Sequence, residues 1–282
     1  MRPQTAPSSR TDISRPDVRR SRLSPLFALG ALALVLAGPV LAAGPDYIRP
    51  DQVDLIRILP PAPAPGSATT QDDFRILLDY QKARTPAQVA AANEDVKRHP
   101  ARFSEAVGTD LSKSAAPITD EVLDHAWKQA YALVSATKQY WNRQRPYLAN
   151  SEIHLVLPAE DTASYPSGHA TYGMFMAILL ANMVPERAGI IMERGREYGI
   201  ERLIGGVHYP SDVEAGRITG SVLAAEVLGN AAFKADLARA AAEVRTALKL
   251  PPLSPAIMPA QAPLPAGGAT ALPLPAAAAP SK

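Results

Sequence analysis

The stretch TDEVLDHAWKQAYALVSATKQYWNRQRP, residues 119–146, decides the fold. Val122, His125, Trp127, Ala130, Leu133, Val134, Thr137 and Tyr140 follow the spacing of one helical stripe. Asp120 and Glu121 in the first turn suit the positive end of a helix dipole, and Pro146 is expected to stop the helix.

The same pattern continues on both sides. Phe74, Leu77, Leu78 and Gln81 predict a helix upstream. Thr85-Pro86 is a cap followed by a proline at the first helical position, opening a helix to about Lys97 that ends before Pro100. Further helices are expected over about 168–183, 187–203, 211–228 and 233–248. Val and Ile never alternate with polar residues for long, so the expected fold class is all-α, a single-domain helical bundle. The apolar run Met174–Val184 is too short to span a bilayer and ends at Pro185, so it reads as a buried core helix.

Low-complexity ends frame this bundle. Arg15, Arg19, Arg20 and Arg22 precede the apolar run Leu26–Ala37, Pro39 breaks it, and Ala42 and Ala43 offer small residues for cleavage, so residues 1–43 read as a signal peptide. Arg19-Arg20 raises a twin-arginine export route, for which Ser21-Arg22-Leu23 is a poor continuation. The expected location is periplasmic or secreted. Residues 44–70, with Pro60-Pro61-Ala62-Pro63-Ala64-Pro65-Gly66, read as an extended lead-in, residues 71–250 as the helical domain, and residues 251–282 as a disordered Pro/Ala-rich tail.

Removing the six arginines and two aspartates of residues 1–43 from the chain's 29 basic and 27 acidic residues leaves a net charge of about −2. That balance, with no basic run, gives no support to a nucleic-acid partner. No cysteine is present, so disulfides say nothing of compartment.

Three segments carry chemistry. Lys138 and Arg145 are seven residues apart, which returns them to nearly one helix face. A lysine point charge and a planar arginine fork suit a dianion. Taken alone, Lys128, Lys138 and Arg143 would read as a solvated helix end. Pro166-Ser167-Gly168-His169 opens a helix with a serine cap and a glycine that bares backbone N–H groups, an anion cradle facing His169. Gly205-Gly206 permits a chain reversal before His208, and Asp212 in the next helix start is placed to orient that imidazole. With Arg202 added, the set can grip a tetrahedral oxyanion, attack it with His208 and protonate the leaving group from His169. It reads as phosphoryl transfer without metal or organic cofactor.

Lys138-x6-Arg145-Pro146, Pro166-Ser167-Gly168-His169 and Arg202-x5-His208-x3-Asp212 resemble the three-part signature of the type 2 phosphatidic acid phosphatase and vanadium haloperoxidase superfamily. Ser164-Tyr165-Pro166-Ser167-Gly168-His169, the proline-rich lead-in and the exported form are most similar to the bacterial class A non-specific acid phosphatases. The likeness covers about Leu59–Leu248. It implies a helical bundle in which Lys138, Arg145, Arg202, Ser167 and the Gly168 N–H hold phosphate. It further implies that His208 becomes phosphorylated, His169 protonates the leaving group and Asp212 orients His208. The expected activity is hydrolysis of small phosphate monoesters, with phosphotransfer to other alcohols as a side activity and no integral membrane association after signal cleavage. The competing expectations are a vanadium-dependent haloperoxidase using the same cradle, and a non-catalytic periplasmic phosphate-binding protein. One departure stands in the third segment, where Glu201 replaces the serine usual before the arginine. It is expected to face solvent with Glu193 and Glu197.

Overall fold

Side-chain caps at Asp54, Ser67, Thr85, Ser167 and Asn230 fix where five helices start. A computed structural model describes residues 45–253, so the expected signal peptide and most of the expected tail lie outside the described residues. Ten helices appear there: α1 (Leu55–Ile58), α2 (Ala68–Ala83), α3 (Pro86–Glu94), α4 (Ser104–Val107), α5 (Pro117–Trp141), α6 (Pro146–Ala149), α7 (Gly168–Met183), α8 (Ala188–Ile204), α9 (Pro210–Gly229) and α10 (Ala231–Ala247). Short 3₁₀ turns cover Pro100–Phe103 and Pro185–Arg187, and no strand occurs among the described residues. The fold is all-α.

α7 is the central element. Leu179, Leu180, Met176, Phe175 and Tyr172 are all buried, so this helix is apolar around its whole circumference because neighbours surround it. Glycines bring two of those neighbours unusually close. A Cβ on Gly173 would stand 2.3 Å from the Gly195 carbonyl oxygen, and one on Gly220 would stand 2.5 Å from that of Thr171, so α8 and α9 lie backbone to backbone against α7. The second contact matters for function, since it sets the start of α9 beside the start of α7. There the Ser167 N–H donates to the Asp212 carbonyl oxygen at 2.9 Å.

α5 and α10 close the bundle. The Glu243 carboxylate of α10 accepts from the Ile118 and Thr119 N–H groups at 3.1 and 2.8 Å, satisfying donors at the start of α5 that have no partner within the helix. α5 therefore begins two residues before Thr119. Its other end also differs from expectation. The helix stops at Trp141 on a left-handed Asn142 (φ 43°), and Pro146 instead opens α6.

The lead-in is also more structured than expected. Tyr47, Ile48, Val53, Leu55 and Leu59 join the main core, and α1 lies within this segment. The Tyr47 hydroxyl donates to Asp236 at 2.7 Å, binding the segment to α10. The proline run itself is extended, with the Pro60 carbonyl accepting from the Tyr165 hydroxyl at 2.6 Å. None of the described helices is long and apolar enough to cross a membrane.

Candidate active site

The residue before a proline is pushed to extended backbone, and Arg145 obeys with φ −68° and ψ 148°. Its side chain thereby leaves the α5 direction and turns into the protein, where it is 2% exposed. Nε donates to the Thr162 carbonyl at 2.8 Å. Nη1 donates to the Val207 carbonyl at 2.8 Å and to His208 Nε2 at 3.0 Å, and Nη2 donates to Glu160 at 2.6 Å. One guanidinium thus ties the loop before α7 to the loop before α9.

Lys138, in the last turn of α5, points into the same space and donates from Nζ to the Ala163 carbonyl at 2.6 Å. Burial, then the Arg145 charge, pulls its pKa down to about 7. Arg202 comes from the last turn of α8. Its Nη2 donates to the Ala92 carbonyl at 2.8 Å, while its buried Nε has no protein acceptor among the described residues. A buried charged donor without a partner is costly, so this atom marks where an anion belongs.

The start of α7 completes the cup. The Ser167 hydroxyl accepts from the Ala170 N–H at 3.3 Å, the expected serine cap. The Gly168 and His169 N–H groups, first in the helix, have no backbone acceptor among the described residues and lie at the positive end of the dipole.

The two imidazoles are held in complementary ways. His208 is fully buried; Nδ1 lies 3.2 Å from Asp212 Oδ2 and Nε2 accepts from Arg145. Because an arginine can only donate, the proton of neutral His208 sits on Nδ1 and the lone pair on Nε2. His169 is the reverse. Its Nε2 donates to the Val96 carbonyl at 3.1 Å, leaving Nδ1 facing the cup, 3.9 Å from Glu160. Burial holds both rings well below the usual histidine range, reinforced by Arg145 and Lys138 at His208 and by Arg202 and Arg98 at His169. Burial pushes the Glu160 carboxyl up, but His208, Arg145 and Lys138 outweigh it and hold that group below its ordinary value.

A cavity of about 320 Å³, lined among others by Arg98, Tyr131, Lys138, Glu160, His169 and Arg202, leads to this cluster. Of the eight residues singled out in the sequence, Lys138, Gly168, His169 and Arg202 line this cavity, while Arg145 bonds His208, His208 meets Asp212, and Ser167 caps the helix that carries Gly168 and His169. The arrangement can neutralise the oxygens of a tetrahedral oxyanion while one imidazole lone pair faces it and a second ring stands at its edge.

Residues 129–233 match the PAP2 superfamily. A non-specific acid phosphatase of Salmonella typhi is 31% identical over 229 residues, spanning 77% of this chain and 92% of the relative. The chain belongs to the PAP2 superfamily. A second non-specific acid phosphatase, from Providencia stuartii, is 30% identical and spans 78% of this chain and 96% of its own length. An acid phosphatase of Zymomonas mobilis is 29% identical and spans 69% of this chain and 76% of its own length. The expected membership among class A acid phosphatases of the PAP2 superfamily holds, and the chain is a phosphoric monoester hydrolase.

Around this PAP2 site stand residues that the sequence reading missed. Arg143, which in isolation reads as a solvated helix end, is buried and donates from Nη1 to Asp212 Oδ1 at 2.7 Å and from Nη2 to Asp73 at 3.0 Å. Asp73, on α2, also accepts from the Ser211 N–H at 3.0 Å and from its hydroxyl. Ser164 donates to Asp212 Oδ2 at 2.5 Å. The spacing Arg143-x-Arg145 before a proline was the available signal, since extended backbone turns residues two apart to the same side, and Arg145 is the one already read as turning inward.

Glu201 overturns its expectation. It is 7% exposed, not solvated, and lies 3.3 Å from Arg202 and 3.6 Å from Arg194. Burial, then hydrogen bonding with Asp95, pushes its carboxyl up to about 8. Burial pushes Asp95 up, but the hydrogen bond from Glu201 and those from Arg194 and Arg102 outweigh it and hold Asp95 low, so Asp95 carries the charge of the pair and Glu201 keeps the proton.

Proposed function

We propose that this acid phosphatase hydrolyses phosphate monoesters through a phosphohistidine on His208. The observation that carries the reading is the fixed tautomer of His208: Nδ1–H donates to Asp212, and the Nε2 lone pair faces the cationic group of Arg145. His208 Nε2 attacks phosphorus and the ester P–O bond breaks on the opposite side. Lys138, Arg145, Arg202 and the N–H groups of Gly168 and His169 neutralise the phosphoryl oxygens. The arriving dianion favours a protonated His169, whose Nδ1 then gives its proton to the departing alkoxide. Water, deprotonated at His169 Nδ1, attacks the phosphohistidine and returns His208 with free phosphate. An alcohol in place of that water yields phosphotransfer. Asp212 stabilises the charge that develops on His208 during attack.

The chain performs this reaction outside the cytoplasm, a reading that rests on the Arg-rich lead, apolar run and Ala42-Ala43 of residues 1–43. Purified enzyme should release p-nitrophenol from p-nitrophenyl phosphate in EDTA, show a bell-shaped pH profile and lose turnover in His208→Ala while keeping its helical fold. Ordinary turnover by His208→Ala overturns the nucleophile assignment. Phosphate binding without turnover, or bromide oxidation after vanadate loading in place of ester hydrolysis, overturns the reaction.

A further inference from the structure

Arg98 stands at the mouth of the cup and takes no part in the chemistry above. Its guanidinium lies over the Tyr131 ring, 4.7 Å from the centroid, and 5.7 Å from that of Trp127, so an aromatic shelf on α5 supports it. It reaches the site: a Cβ on Gly168 would stand 3.2 Å from Arg98 Nη1 and 3.8 Å from the Lys138 side chain. Of the three cations lining the cavity, Arg98, Lys138 and Arg202, it is the one with no hydrogen bond or ion pair among the described residues. A half-buried guanidinium with five idle N–H donors is suited to an anion.

Its place relative to the two histidines says which anion. His208 is fully buried with Arg145 at the floor, whereas His169 lines the cavity, and the Val96 carbonyl that fixes its ring belongs to the same segment as Arg98. In-line displacement puts the leaving group opposite the nucleophile, so a substrate runs from His208 past His169 toward Arg98. Lys138, Arg145 and Arg202, at most 4% exposed, already serve the transferred phosphoryl, while Arg98 is the more exposed cation of the same cavity wall.

We propose that Arg98 binds a second anionic group on the leaving alcohol, so that the enzyme prefers phosphate monoesters whose alcohol carries a carboxylate or another phosphate. This rests on the phosphatase reading with His208 at the floor and His169 toward the mouth.

The test compares 3-phosphoglycerate with glycerol 3-phosphate, which differ in the second anion on the same three-carbon frame. Wild type should favour 3-phosphoglycerate by about ten-fold in kcat/KM, the size of one charge-assisted contact. Arg98→Gln should bring that ratio close to one, and Arg98→Lys should retain part of it. Equal efficiency of the wild type on both esters overturns the inference and leaves the phosphatase reading standing. A ratio unchanged in Arg98→Gln, or equal losses on both esters together with weaker inhibition by inorganic phosphate, also overturns it, the latter by placing Arg98 on the transferred group. Should Arg98→Gln not fold, the wild-type ratio and its partial survival in Arg98→Lys decide. Hydrolysis of neither ester by the wild type overturns the phosphatase reading itself.

Discussion

Arg143 and Asp212 form a buried ion pair with Nη1 and Oδ1 2.7 Å apart and side chains 6% and 0% exposed. Asp212 Oδ2 is thereby left to Ser164, the Tyr209 N–H and His208 Nδ1, so the carboxylate that orients the proposed nucleophile is itself locked. Arg143 also lies 3.8 Å over the Tyr209 ring and holds Asp73.

Arg143→Met should leave two buried carboxylates without their cation and cost about 3–5 kcal/mol of stability in urea unfolding. The folded fraction should lose about 10²- to 10⁴-fold in kcat, since a mis-set His208 has the wrong tautomer or angle. Because Arg143 does not line the cup, inhibition by inorganic phosphate should change far less than kcat. A parallel loss of both would make it a phosphate ligand.

With its pKa at about 7, Lys138 is charged below that pH and neutral above it. The cup therefore loses a cation as pH rises, and kcat/KM, which reports the free enzyme, should fall on an alkaline limb near pH 7. Lys138→Arg keeps its charge at every accessible pH and should move that limb upward while lowering the maximum. An unmoved limb in this variant would assign it to another group.

Glu201 ties stability to pH. Its folded-state pKa of about 8 is raised above the ordinary carboxyl value, so the folded protein keeps a proton that the unfolded chain releases. The resulting stabilisation is complete below the unfolded pKa and is lost as pH rises through about 8. The buried histidines act in the opposite direction, since their lowered values remove stability as pH falls below the free-histidine range. The difference between wild type and Glu201→Gln isolates the carboxyl. In unfolding measured from pH 5 to 9, the wild type should lose stability relative to the variant as pH rises, and a constant difference would contradict the buried proton.

Glu160 competes with substrate for Arg145, to which it is bonded at 2.6 Å. At pH 5, where Lys138 is charged, Glu160→Gln should tighten inhibition by inorganic phosphate about three- to ten-fold, the effect of one partly screened charge. The same change removes a charge that supports protonated Lys138, so the alkaline limb should shift toward acid. Weaker phosphate inhibition would instead give Glu160 a binding role.

The helices were legible where local chemistry speaks. Ser167 as cap and the unbroken apolar run behind it predicted α7 at its observed bounds, and Thr85-Pro86 predicted the start of α3. The end of α5 was not legible, because Asn142 terminates it by backbone conformation while Pro146 is the louder signal. The reactive cluster was legible because the identities and spacings of Lys138, Arg145, His169, Arg202, His208 and Asp212 serve one chemistry. Its supports were not. Asp73 meets Ser211 across 138 residues of chain, and nothing in α2 says which neighbour its face will find. Glu201 shares four-residue spacing with Glu193 and Glu197, a solvent stripe by pattern, and only the folded position of Asp95 and Arg194 allows its burial.

The central claim is a covalent bond between phosphorus and His208. Wild-type enzyme mixed with excess p-nitrophenyl phosphate and quenched within milliseconds in alkali, where phosphohistidine survives, should yield a peptide containing His208 that is heavier by one phosphoryl group. That adduct should be absent from His208→Ala and should decay in acid. A phosphoryl group found instead on His169 or Ser167, or turnover with no adduct when dephosphorylation is rate-limiting, would contradict the account.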